Sequence, residues 1–101
     1  MPSTELIDVL LDARELLARP ENDFAWSSWK DRAAALEEVD QLIAQVRKGH
    51  VPKTTLNVLF APTGPIQEVS VSSGWGQEFL ASAARYDEAI AEAARAWWRF
   101  W

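Results

Sequence analysis

Few residues in this sequence could do chemistry. Its one histidine, His50, sits in "RKGHVPK", just past a helix-stop signal. An enzyme needs a nucleophile, a base or a metal set within reach of one another, and the sequence offers His50 no assignable partner. It reads as a surface or helix-end residue. Ser70, Ser72 and Ser73 supply hydroxyls but lack the GxSxG setting that presents a nucleophile on a sharp turn, so they read as turn and capping residues. The glycines of "PTGP" and "SGWG" come without the lysine of a phosphate-binding loop or the spacing of a dinucleotide fingerprint. The expectation is a protein that is no enzyme, with no catalytic residues and no cofactor.

One set of charged residues does have a pattern. Glu5, Asp8, Asp12 and Glu15 recur at spacings of three, four and three, which puts them on one face of a helix. They form either a solvated face or a docking surface for a basic protein. A metal site is not expected, because carboxylates without histidine or a loop of carbonyls make a weak, unselective cage. The rest of the charge agrees with the docking reading. Residues 1–46 hold ten acids and four bases, and residues 47–101 hold five acids and six bases, within a net charge of −5. Nucleic acid, which needs a basic face, is a poor partner; a basic protein surface suits better.

A chain of 101 residues is expected to form one domain, 1–101, with one modest core. Its six tryptophans can carry much of the core or interface energy. The absence of cysteine suits a reducing cytoplasm. Acids run through the first apolar stretch with no basic leader, unlike a signal peptide. No apolar run approaches the roughly 18 residues of a membrane span, so neither a membrane nor an export route is expected. The many alanines and arginines suggest a bacterial source.

The elements that must position these residues follow from periodicity. Leu6, Leu10, Ala13 and Leu17, widened by Ile7, Val9, Leu11 and Leu16, predict a helix over 4–18, capped by Ser3 or Thr4 and ended by Pro20. After "PENDFAW", Ser27 or Ser28 is expected to begin a second helix, with Asp31 as its capping partner and Trp29, Ala33, Leu36, Val39, Ile43 and Val46 as its buried stripe. Arg47-Lys48-Gly49 marks its stop. The segment 54–73 stays open on its residues alone: a β-hairpin at 54–72 around "APTGP", or short helices broken by Pro62, Gly64 and Pro65. The last helix is the clearest. Phe79, Ala83, Tyr86, Ile90, Ala93, Trp97 and Phe100 alternate at four and three, with Gly76 as the expected N-cap and Trp75 stapled onto Leu80.

The chain stops on "AWWRFW". Trp97 and Phe100 continue the core stripe. Trp98 and Trp101 continue the adjoining one, with Leu80, Ala84, Ala91 and Ala94, whose mostly small side chains let another helix approach closely. Trp98 and Trp101 are therefore expected to be partner-binding residues, with a homo-oligomer as the simplest consequence.

The stretch "LFAPTGPIQEVSVSSGWGQEFL" resembles a family of small uncharacterised bacterial proteins. The shared core is FAPTG, an apolar residue with Gln-Glu, GWG, EFL and an aromatic-Asp pair, here Phe60 to Gly64, Ile66-Gln67-Glu68, Gly74-Trp75-Gly76, Glu78-Phe79-Leu80 and Tyr86-Asp87. The resemblance covers about a third of the chain and brings no activity and no functional residue with it. It implies a short helix at 65–73, and the aromatic tail is not part of it. Physically, Thr63 and Gly64 shape a turn, Pro65 opens a helix, Trp75 plugs the base of the last helix, and Gln67 and Glu68 cap nearby backbone or face a ligand.

The fold expected is all-α, three long helices plus short helical turns in the middle segment, with α+β and a hairpin at 54–72 as the alternative. The function expected is a non-enzymatic protein-binding module, most concretely a bacterial immunity or inhibitor protein masking a basic toxin with its acidic first half. A self-associating structural subunit and a small-molecule binder near Trp75 are the alternatives.

Overall fold

The computed structural model describes the backbone of residues 4–98 and the side chains of residues 4–95. It is all-α, and the described residues contain no strand: α1 Thr4–Leu17, α2 Arg32–Arg47, α3 Lys53–Leu59, α4 Pro65–Ser73 and α5 Gly76–Trp98. The hairpin at 54–72 is not formed. Its two arms are the separate helices α3 and α4, and α4 begins at Pro65, where proline loses no helical hydrogen bond.

α1 packs against α2, α4 and α5. Leu6, Val9, Leu10, Ala13 and Leu17 are all buried along it, the stripe that its apolar spacing dictates. In α2 the buried residues are Ala35, Val39, Leu42, Ile43 and Val46, while Ala33 is exposed and Leu36 half-buried. The expected serine start is also displaced. Helix α2 begins at Arg32, and Asp31 is its N-cap, an extended residue whose carboxylate accepts from the Ala34 amide at 2.9 Å. Ser28 is engaged elsewhere, and Trp29 is buried ahead of the helix, with its indole N–H on Glu38 at 3.1 Å.

The stop at Arg47-Lys48-Gly49 forms as the sequence predicts. Gly49 has φ +86°; its amide donates to the Val46 carbonyl, and the His50 amide donates to that of Gln45, the paired bonds of a Schellman ending. At Gly64 the requirement is space. A Cβ there would meet the Val58 carbonyl oxygen at 2.2 Å, because the start of α4 lies directly against the end of α3.

Between α4 and α5 there are only two residues. Gly74, at φ +83°, ends α4, the Trp75 amide donates to the Ser70 carbonyl, and the Trp75 carbonyl accepts from Phe79. Trp75 therefore occupies the cap position expected for Gly76, which is the first helical residue. The Trp75–Leu80 staple does not form: Leu80 is 60% exposed, whereas Trp75 is buried. Along α5 the buried residues are Phe79, Ser82, Tyr86 and Ala89, with Ala83, Ile90 and Ala93 half-buried. Tyr86 stacks on Phe60, centroids 4.4 Å apart, and its hydroxyl is hydrogen-bonded to Asn57, which ties α3 to α5.

Candidate functional site

The four patterned carboxylates of α1 do not share one fate. Glu5, Asp8 and Glu15 are exposed, and among the described residues none of them has a hydrogen-bond or ion-pair partner. Asp12 is half-buried and paired with Arg85 of α5. That hydrogen bond raises the Arg85 pKa above its ordinary value; partial desolvation opposes the rise, and the charges of Asp12, Glu5 and Asp8 add to it. The acidic face therefore lies along the seam between α1 and α5 instead of standing clear of the fold. Two residues past the end of α1 the seam is closed again by Arg19 and Glu78, 3.0 Å apart.

Between these two ion pairs lies a cleft of about 410 Å³ lined by Asp12, Glu15, Leu16, Arg19, Glu78, Ala81, Ser82 and Arg85. Ser82 is only 7% exposed, and its hydroxyl has no hydrogen-bond partner. Nearer the start of α1, a second concavity is lined by Glu5, Asp87, Glu88, Ala91, Glu92 and Arg95, which extends the acidic seam along α5. Among the described residues no group of three or more histidine, aspartate or glutamate side chains is placed to hold a metal ion, and no helix is long and apolar enough to cross a membrane.

The turn motif is built into the framework. Thr63 is exposed in the turn, and Gly64 is buried at the close approach to Val58. Glu68 accepts from the Ser28 amide at 3.0 Å and from its hydroxyl at 3.1 Å. It therefore caps backbone, in a loop forty residues away. The Gln67 side chain makes no hydrogen bond, while its carbonyl accepts from the Ser70 hydroxyl. Ser73 accepts from the Asp23 amide at 2.9 Å, so both serines have structural roles. The Trp75 ring is buried, and its N–H donates to Asn22 at 2.8 Å, whose amide in turn donates to the Leu16 carbonyl at 2.7 Å. A buried ring with its N–H already committed has no free donor to offer a ligand.

His50 lines a cleft with Gly49, Val51, Lys53, Ile90, Ala93 and Ala94, with no acid beside it. The side chains of Trp98 and Trp101 lie outside the described residues. Two residues went unflagged in the sequence. Trp26 is 77% exposed in the loop between α1 and α2; its signal was a tryptophan that belongs to neither flanking helical stripe. Ser82 gave the weaker signal of a polar residue midway between Phe79 and Tyr86. No protein-family model, no curated protein and no solved structure matches the chain.

Proposed function

We propose that this chain is a non-enzymatic protein-binding module that docks a basic partner along the acidic α1–α5 seam. The observation that carries the reading is the exposure of Glu5, Asp8 and Glu15, none of which makes a hydrogen bond or ion pair with a described residue, although Arg85 feels the charges of Glu5 and Asp8. Carboxylates left free on a helical framework raise the encounter rate with a basic surface and set its orientation. An immunity or inhibitor protein masking a basic toxin is the most concrete form, supported by small size and a pI near 4.8. The same proposal puts the module in the cytoplasm, where a cysteine-free chain needs no disulfide.

The test is retrieval of proteins from the native host by the tagged chain, beside a Glu5→Gln/Asp8→Asn double variant, at low and high salt. A basic protein retained by the parent, and lost from the variant or from the parent in high salt, is the expected result. Equal retention by both forms at all salt concentrations would reduce the face to solubility.

Self-association through α5 is the second reading. Leu80, Ala84 and Ala91 are exposed on one stripe, which Trp98 and Trp101 continue in the sequence. Sedimentation of the parent beside a Trp98→Ala/Trp101→Ala variant decides it, since a parent that stays monomeric at high concentration removes the reading.

A further inference from the structure

We propose that the cleft between α1 and α5 binds a protonated primary amine, with the Ser82 hydroxyl and the Glu15 carboxylate as its ligands. A buried hydroxyl without a partner costs stability, and natural structures seldom keep one without a reason. Alanine would fill the same helical position without that cost and with better helix propensity. Ser82 is more than nine-tenths buried, lines the cleft and has no partner. The Ser82 oxygen is itself shielded from solvent, so the proposal requires it to change χ1 rotamer, within the wells the helix allows, to meet a guest.

Charge selects the guest. The cleft is lined by three carboxylates, of Asp12, Glu15 and Glu78, and two guanidinium groups, of Arg19 and Arg85. Each arginine already holds one carboxylate: Arg85 holds Asp12, and Arg19 holds Glu78. Glu15 alone has no counter-ion. An anion would add to the excess negative charge, whereas an ammonium group removes it. Three N–H donors on one small head match an acceptor set of carboxylate and hydroxyl, and Leu16 and Ala81 give its alkyl stem an apolar wall.

The amine belongs either to a lysine side chain of a protein partner or to a free aliphatic amine. The first source rests on the basic-partner reading above; the second does not. The experiment is an amide-resolved NMR titration of the full chain with n-butylammonium chloride, with sodium chloride and tetramethylammonium chloride as controls, repeated with N-acetyl-lysine methylamide. Shifts confined to 12–19 and 78–85, given by the primary amines and not by the controls, are expected. Tighter binding of the lysine derivative than of butylammonium assigns a partner's lysine, and equal or weaker binding assigns a free amine.

Ser82→Ala is expected to melt at the same temperature as the parent or higher, yet to bind the amine about tenfold more weakly, the loss of one hydrogen bond to a charged group. Glu15→Gln is expected to weaken binding at least as much. Control salts that reproduce the shifts, or a Ser82→Ala variant that melts lower and binds equally well, would overturn the proposal. Amine binding without any retained basic protein would remove the partner reading alone; a retained partner with no amine response would remove the cleft alone.

Discussion

Two seams meet at α1, and they are built by opposite rules. Where α4 and the 18–31 loop close against the end of α1, polar groups meet one another: Asn22 with the Trp75 indole, Ser28 with Glu68, and the Asp23 amide with Ser73. Where α5 closes against α1, the contacts are exposed ion pairs, an uncountered Glu15 and a buried hydroxyl with nothing to bond. The first seam is saturated, as a framework requires. The second is left unsaturated, and residual hydrogen-bonding capacity on a rigid support is what a binding surface needs.

The comparison can be broken most sharply at Trp75. Trp75→Ala should lose about 3–5 kcal/mol, a large part of an ordinary stability of roughly 5–15 kcal/mol, measured by urea unfolding. A variant with an unchanged midpoint would mean that the saturated seam is not the framework. Gly64→Ala comes next. A methyl group 2.2 Å from the Val58 carbonyl forces α3 and α4 apart, and overpacking of this kind costs about 1–3 kcal/mol. A smaller loss would show that the turn yields without disturbing α4.

On the other seam the expected effects are slight. Asp12→Asn removes the ion pair with Arg85, but both side chains are about half exposed. Screening holds the loss to about 0.2–1 kcal/mol, and it should fade as salt is raised. A larger, salt-insensitive loss would move this seam into the framework class. The smallest effect at neutral pH concerns Tyr86. Burial, with a contribution from Asp87, pushes its pKa up from 10.0 to about 12. A raised folded-state pKa means that the associated stability is complete below pH 10 and is lost as pH rises towards 12. Absorbance titration of the phenol should show that displaced midpoint, and a midpoint near 10 would place Tyr86 in solvent.

What the sequence made legible follows the physics of each element. Large side chains at regular spacing specified α1, and cations followed by glycine specified the end of α2. Proline after glycine marked where a helix could open, at Pro65, but that 65–73 would be helical was implied only by the resemblance. The middle segment was undecided on its own residues because β-branched side chains suit either state in short runs. The start of α2 was misread for a different reason. Ser28 has the chemistry of a cap, but Glu68, forty residues away, competes for it, and no local window contains that competitor. Ser82 was hidden by its size: with alanines at 81, 83 and 84, a rotation of the buried face from Ala83 to Ser82 barely changes the pattern of hydrophobicity. The acidic face was legible as a row of charges, but not as a seam, because Arg85 lies 73 residues away.

Trp75 has a kinetic consequence. Its amide holds the end of α4, its carbonyl starts α5, and its ring holds Asn22 of the loop. One residue thus belongs to three elements at once, and none of them can open without disturbing the other two. The 18–31 loop has no regular secondary structure over most of its length, a composition that ordinarily gives fast, independent amide exchange. Here its exchange should be slow around Asn22 and Asp23 and should rise together with that of residues 70–79. The corner and the loop then open as one cooperative unit, and the indole N–H of Trp75, bonded to Asn22, reports that opening by its own hydrogen exchange.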